Sequence, residues 1–484
     1  MIEPLSKGSY CFDTMTISTL TPSSGTGPYY VRLADGIEAA VADGTLAEGA
    51  RLPPQRNLAF DLGVTVGTVS RAYALLRERG LVSAEVGRGT YVQARRVPAR
   101  AAMANVPEDL GGTRFRDVPP GKQRFDTTAA PLLGQSQVIG EVLAGVVRDH
   151  PQSIASYSRT THLSWCEAGQ IWLSRNGWRP ERGDVIATFG AHAGALSAIA
   201  AVTSPGDRIA FEALSYSQLA RGVRLIGRRI VAVDVDAQGM LPDDFERLCA
   251  QQRPKLAYLM PTLHNPTLGI LPEDRRREIA RIAAQYDVWL IEDDIYGSMS
   301  DDPTPMLADF APERTFVVNG LSKAVAAGLR GGWIACPPHL ADRVKIAHKL
   351  TTGGLSFLLA ETAARMVLSG VATAIKAETL AELTARHAIL QAELAGHQFA
   401  ASPAAPYVWL KLPGSWLSGT FKAAALREDL LIDDEDEFKP VRMDRAFHRI
   451  RISCSSGSRA DLALGLARLR RLLDSSDSGY ASEI

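Results

Sequence analysis

Apolar positions along the chain follow two rhythms. Between residues 184 and 337 seven short runs, DVIATFG, DRIAFEA, RIVAVDV, KLAYLMPT, VWLIEDD, RTFVVNG and RGGWIACP, are apolar and often β-branched, as strands are. Between them stand segments such as DDFERLCAQQR and PEDRRREIARIAAQYD, which carry helical patterns. Strand and helix in alternation predict an α/β domain with a largely parallel sheet. Beyond about residue 340 a helix-rich tract precedes YVWLKLP and HRIRISCS, which predicts a smaller α+β lobe at the C-terminal end.

Near the N-terminus the pattern differs. VTVGTVSRAYALLRERG begins at a capping residue, Thr65, and puts Val66, Val69, Tyr73 and Leu76 on one helix face, with Thr68, Arg71 and Arg77 opposite. PQRNLAFDLG before it reads as a short helix ending at Gly63, so the two together predict a helix-turn-helix. LVSAEVGRGTYV then reads as two short strands around a basic hairpin, Val86-Gly87-Arg88-Gly89. A face of small and basic side chains suits the major groove, and a hairpin tipped with glycine and arginine reaches backbone or minor groove.

Around these units, residues 1–27 are rich in Ser, Thr, Gly and Pro and read as a mobile arm. Residues 93–126 combine proline, glycine and charge without an apolar period, the composition of a linker. Residues 28–92 are therefore expected to form one domain and residues 127–472 another, with lobes of about 150–340 and 341–472 and a tail at 473–484.

At 484 residues the chain exceeds one ordinary core, and 46% apolar residues is a globular composition. The start shows no basic stretch followed by an apolar segment, and no run approaches the roughly 20 apolar residues of a spanning helix. Five scattered cysteines show no C-x-x-C spacing, so a reducing, cytoplasmic setting is expected and no metal site is indicated. Lys plus Arg equals Asp plus Glu, 53 each, which excludes a uniformly basic protein. A local patch survives this balance: residues 51–96 hold eight arginines against three carboxylates.

Candidate chemistry centres on GLSKAVAAGLRGGW, residues 320–333. A lone Lys323 would be an ordinary solvated lysine. Its company, in chain order, is TFGAHAGAL, Tyr216, HNPTLG, EDDIY, Ser322, Arg330 and IRISCS. A lysine is a nucleophile only where it can shed its proton, as in a partly desolvated pocket.

Two resemblances follow from these motifs. GTLAEGARLPPQRNLA (44–59), continued through GTVSRAY to GRGTYV, resembles the winged-helix domain of the GntR family of bacterial regulators. By that resemblance Arg51, Arg56, Thr65, Thr68, Arg71, Arg88 and Gly89 face promoter DNA. Val66-Gly67 stands where many members carry an arginine, so the resemblance implies phosphate binding but does not give the bases read.

The ordered set from TFGAHAGAL to IRISCS resembles fold-type I, class I/II aminotransferases over about residues 125–472, and implies pyridoxal 5'-phosphate as cofactor. The resemblance makes Lys323 the catalytic amine that attaches the cofactor, Asp293 the partner of its pyridine nitrogen, and Tyr296 and Asn265 donors to its phenolic oxygen. Tyr216 would stack on the ring. Ala191, His192, Ser322 and Arg330 would hold the phosphate, joined by Tyr157 from the other subunit. Arg451 would clamp a substrate carboxylate. Ala191-His192, the extra leucine in HNPTLG, and Gly320 depart from the common pattern and imply fewer side-chain contacts to the phosphate.

Together the two halves resemble the MocR/GabR-type transcriptional regulators. The implied fold class is multidomain: a winged helix-turn-helix, then a fold-type I transferase domain with a smaller α+β lobe. The implied function is a homodimeric regulator in which a small amino-acid-like effector joins the cofactor and alters promoter binding. The alternative is a working aminotransferase with an appended DNA-binding domain.

Overall fold

The computed structural model describes residue 22 and residues 28–47, 49–78, 81–85, 89–92, 121–157, 162–414, 416–443 and 445–475. The chain divides into two compact units, residues 1–107 and 108–484.

In the first unit, helices Tyr29–Ala42, Gln55–Asp61 and Val66–Glu78 pack on a three-stranded antiparallel sheet. Its strand order is Arg51–Leu52, Gly89–Val92, Val82–Glu85. Pro53 and Pro54 end the first strand and open the second helix, since proline lacks the N–H that a strand or helix interior needs. Leu33, Ile37, Leu58, Val69, Tyr73, Leu76, Val82 and Val92 fill the core, and the Tyr73 hydroxyl donates to the Pro53 carbonyl at 2.8 Å. The expected apolar face of the third helix is corrected at one position: Val66 is exposed and Ala72 is buried in its place. Val66 is the first helical residue, so the face turns towards the core only one turn later.

The second unit is built on a seven-stranded sheet of order Val185–Thr188, Gly332–Ala335, Thr315–Gly320, Trp289–Asp293, Leu256–Leu259, Arg208–Glu212, Arg229–Val233. These are the seven apolar runs of the sequence. All neighbours pair in parallel except Gly332–Ala335, which is antiparallel to both of its neighbours. Alternate side chains enter opposite cores, as strand pleat requires. Ile209, Phe211, Leu256 and Tyr258 pack on one face, whereas Ala210, Ala257 and Leu259 pack on the other. A smaller antiparallel sheet of Phe399–Ala401, Tyr407–Lys411, Arg449–Ser453 and Asp433–Asp434 is flanked by helices Val371–Glu393, Ser418–Arg427 and Arg459–Asp474.

One expectation changes here. Residues 121–126, assigned by composition to the linker, are packed: Gln123–Arg124 pairs in parallel with Leu430–Leu431, and Phe125 is buried. Most of the remaining linker, the arm and the tail lie outside the described residues. Among the described residues no single helix is long and apolar enough to cross a membrane.

Candidate functional site

A cavity of about 260 Å³ opens at the carboxyl ends of the central strands, the usual place for a ligand in an α/β sheet. Asp293 closes its strand, Gly320 closes the next, and Thr188 precedes the helix Gly190–Val202. That helix start has no side-chain cap, so its first backbone N–H groups are available to an anion. Nine of the expected cofactor residues line this one cavity: Lys323, Asp293, Tyr296, Asn265, Tyr216, Ala191, His192, Ser322 and Arg330.

Their geometry is specific. Lys323 Nζ donates to Thr128 Oγ1 at 2.8 Å and lies 5.7 Å from the Tyr296 ring centre. Asp293 accepts from the Tyr258 hydroxyl and from the Ile295 N–H at 3.0 Å. Burial pushes the Asp293 carboxyl up to about 6, while the Tyr258 and Ile295 donors and the Lys323 charge hold it back. Tyr216 meets the His192 ring edge-on, with centroids 5.7 Å apart. Burial and the nearby Arg330 push the His192 imidazole down to about 4, so it is neutral at pH 7. Its buried Nδ1 has no partner among the described residues. Arg330 adopts the left-handed φ of 50°, uncommon for any residue but glycine and typical of functional turns.

Glycines hold the backbones close beneath the helix start. A Cβ on Gly332 would come within 2.6 Å of Gly190 Cα, and one on Gly320 within 2.8 Å of the Gly331 carbonyl. Gly320 therefore has a steric reason for standing where a serine is common: this cradle admits no side chain.

Two expected residues lie apart from the cavity wall. Tyr157 is 89% exposed and does not line its own chain's cavity. Arg451 is 0% exposed; it sits behind Asn265, donating from Nη1 to Asn265 Oδ1 at 2.8 Å and from Nη2 to Asp433 Oδ2 at 2.5 Å. Sequence reasoning missed Arg124, Asp126 and Thr128, which line the cavity from the segment read as linker and its edge. It also missed Tyr258 and Asp433. A tyrosine inside an apolar strand run and the acidic run DDEDE at 433–437 were the available signals.

In the first unit Arg51, Arg56, Thr65 and Arg71 are exposed, and Thr68 and Gly89 are half-buried. Thr65 Oγ1 accepts the Thr68 N–H at 3.3 Å, the capping bond expected there, and the Arg51 side chain lies against Gly89. Arg88 lies outside the described residues.

The family model "Aminotransferase class I and II" matches residues 131–469. The chain belongs to the aminotransferase class I and II family. This membership carries pyridoxal 5'-phosphate as the family's cofactor, and the aminotransferase cavity has the groups to receive it: a buried acid, an amine and an uncapped helix start over a glycine cradle. A second model, the gntR family of bacterial regulatory proteins, matches residues 29–92. A GntR-type reader is thus joined to an aminotransferase-family domain in one chain.

Relatives share this arrangement. The HTH-type transcriptional regulator YdeF of Bacillus subtilis (strain 168) is 29% identical over 455 residues, covering 92% of this chain and 95% of YdeF. The HTH-type transcriptional regulator TauR of Rhodobacter capsulatus is 26% identical over 478 residues, covering 93% and 97%. Among solved structures, LysN, an α-aminoadipate aminotransferase from Thermus thermophilus, superposes with a TM-score of 0.65 at 20% identity, covering 73% of this chain and 92% of LysN. At that identity the likeness concerns the aminotransferase fold.

Proposed function

We propose that the chain is a pyridoxal 5'-phosphate-dependent transcription regulator that reads promoter DNA through residues 28–92 and senses a small amino compound in the cavity around Lys323. The observation that carries this reading is the presence, in one chain, of a GntR-type reader and a cavity that both Lys323 and Asp293 line. The cofactor supplies an electrophilic carbon that captures primary amines. Lys323 would be its covalent anchor, Asp293 would hold its ring nitrogen as a cation, and Asn265 and Tyr296 would donate towards its phenolic oxygen. Tyr216 would cover the ring, and the N–H groups of Ala191 and His192, with Ser322 and Arg330, would bind the phosphate.

Arg51, Arg56, Thr65, Thr68, Arg71, Arg88 and Gly89 are proposed to contact DNA. The assembly is a homodimer in the cytoplasm, with Tyr157 of each subunit serving the other's phosphate site. An amine alters promoter affinity to the extent that it favours one dimer state over the other.

The test is a titration of the cofactor-loaded protein with an amine panel, followed by visible absorbance and by binding to DNA from its own upstream region. Matched changes in absorbance and DNA affinity support the reading; failure to bind any promoter DNA sinks it. A second reading, aminotransferase activity, has the same cavity in its favour, since a lysine, a ring-nitrogen acid and a phosphate cradle also serve turnover. Sustained ketoacid formation from amino acids and 2-oxoglutarate would establish it.

A further inference from the structure

We infer that the amine received by this cavity carries no α-carboxylate, because Arg451, the guanidinium assigned by resemblance to that group, is committed to Asp433 inside the fold. This rests on the amine-sensing reading above and narrows its ligand class.

The sheet builds the pair. Asp433 and Arg451 are directly opposite in the antiparallel pairing of Asp433–Asp434 with Arg449–Ser453, so their side chains leave the same face. The side chains of Arg451 and Asp433 are 1% and 0% exposed and meet at 2.5 Å. Arg451 Nη1 is held by Asn265 Oδ1, Nη2 also approaches the Asp126 carbonyl at 3.4 Å, and the rings of Phe438 and Tyr407 lie 4.7 and 5.2 Å from the guanidinium carbon. Nε alone has no partner among the described residues, and it is buried. The guanidinium is therefore enclosed and electrically balanced.

An incoming carboxylate has two options. It can displace Asp433 and leave a buried anion without its guanidinium, or it can join Asp433 as a second anion on one cation; both are unfavourable. The nearby lysines are committed to other carboxylates. Lys422 holds Asp434 and Glu437 at 3.2 and 3.1 Å, and Lys439 holds Glu435 and Asp436 at 2.8 Å each. The guanidinium of Arg124, which does line the cavity, is clasped by Asp126 through two hydrogen bonds of 2.9 and 3.0 Å. Arg124 and Arg451 each already have a carboxylate of their own. A primary amine without an α-carboxylate asks for neither.

The experiment compares, on the full-length cofactor-loaded protein, ethylamine with alanine, phenethylamine with phenylalanine and cadaverine with lysine, at equal free-base concentration. Half-saturation of the absorbance change is expected at least about tenfold lower for the amine in each responsive pair, a factor equal to about 1.4 kcal/mol. In Asp433→Asn, which keeps the shape and removes the charge, the amino acid should gain about tenfold or more while the amine changes little. Wild-type preference for the amino acids, or an Asp433→Asn variant with unaltered amino-acid affinity, overturns the inference. A cofactor-free arm stands apart from the sensor reading. Acetate should raise the melting temperature of Asp433→Ala relative to chloride at equal ionic strength, by filling the place of the lost carboxylate, and should not do so in wild type. If neither the amines nor the amino acids change the absorbance the sensor reading fails, and the acetate arm still decides whether Asp433 fills the Arg451 fork.

Discussion

Asp293 shows how one residue's surroundings set the behaviour of the site. Its folded carboxyl, at about 6, is raised from the ordinary 3.8 by burial, so the folded cofactor-free chain holds this proton more tightly than the unfolded one. The group's contribution to stability is then fully present below about 4 and is lost as pH rises through 6. Cofactor binding has the opposite sign, because a ring cation needs the carboxylate. Affinity for pyridoxal 5'-phosphate should fall about tenfold per pH unit below 6, measured by equilibrium titration between pH 5 and 7. The Tyr258 hydroxyl stabilises that carboxylate, and a hydrogen bond to a charged group contributes about 1.5–3 kcal/mol. Tyr258→Phe should therefore move the midpoint upward by about one to two pH units; an unmoved midpoint would show that the hydroxyl leaves the acid untouched.

At the scale of elements, the antiparallel strand Gly332–Ala335 is wedged between Val185–Thr188 and Thr315–Gly320, and its first residue has backbone on both sides. A Cβ at Gly332 would meet Gly190 Cα at 2.6 Å and the Asn319 carbonyl at 2.9 Å, whereas one at Gly328 has nothing within 4 Å. Gly332→Ala should cost about 3 kcal/mol and weaken cofactor retention, and Gly328→Ala should stay within about 0.5 kcal/mol; urea unfolding of the two variants checks this contrast. The same strand shows what the sequence could reveal. Its apolar run announced a strand, as did the other six, because buried strands are nearly continuous in apolar residues. Its antiparallel direction was not written in its composition, since direction depends on which neighbours it joins. Residues 121–126 were illegible for a related reason: polar and proline-rich surroundings look like linker, and only the pairing of Gln123–Arg124 with Leu430–Leu431 brings Arg124 and Asp126 to the cavity. Asp433 likewise sat in an acidic run whose ordinary meaning is a solvated surface, until sheet register put it against Arg451.

At the scale of the whole molecule, each of the two units offers a separable measurement. Arg56 is exposed on the helix Gln55–Asp61. If it contacts a phosphate, Arg56→Ala should weaken all DNA sequences alike and reduce the slope of log affinity against log salt by about 0.9; a change in sequence preference at constant slope would make it a base reader instead. Tyr157 tests the dimer itself. Tyr157 is 89% exposed and outside its own cavity, so within one subunit the loss of its hydroxyl is a surface change. Removing it should leave the unfolding of the cofactor-free chain within about 0.5 kcal/mol of wild type, the ordinary range for surface changes. In a homodimer whose subunits complete each other's phosphate sites, Tyr157→Phe should nevertheless lower cofactor affinity about tenfold, the order expected for one lost hydrogen bond to a charged group. Mixing the variant with Lys323→Ala then separates the two roles. A heterodimer pairs an intact Lys323 with an intact Tyr157 from opposite chains at one of its two sites, and that site should regain wild-type affinity. Equal weakness of the mixture and the parent variants would place the Tyr157 hydroxyl within its own subunit's chemistry and remove the reason for requiring a dimer.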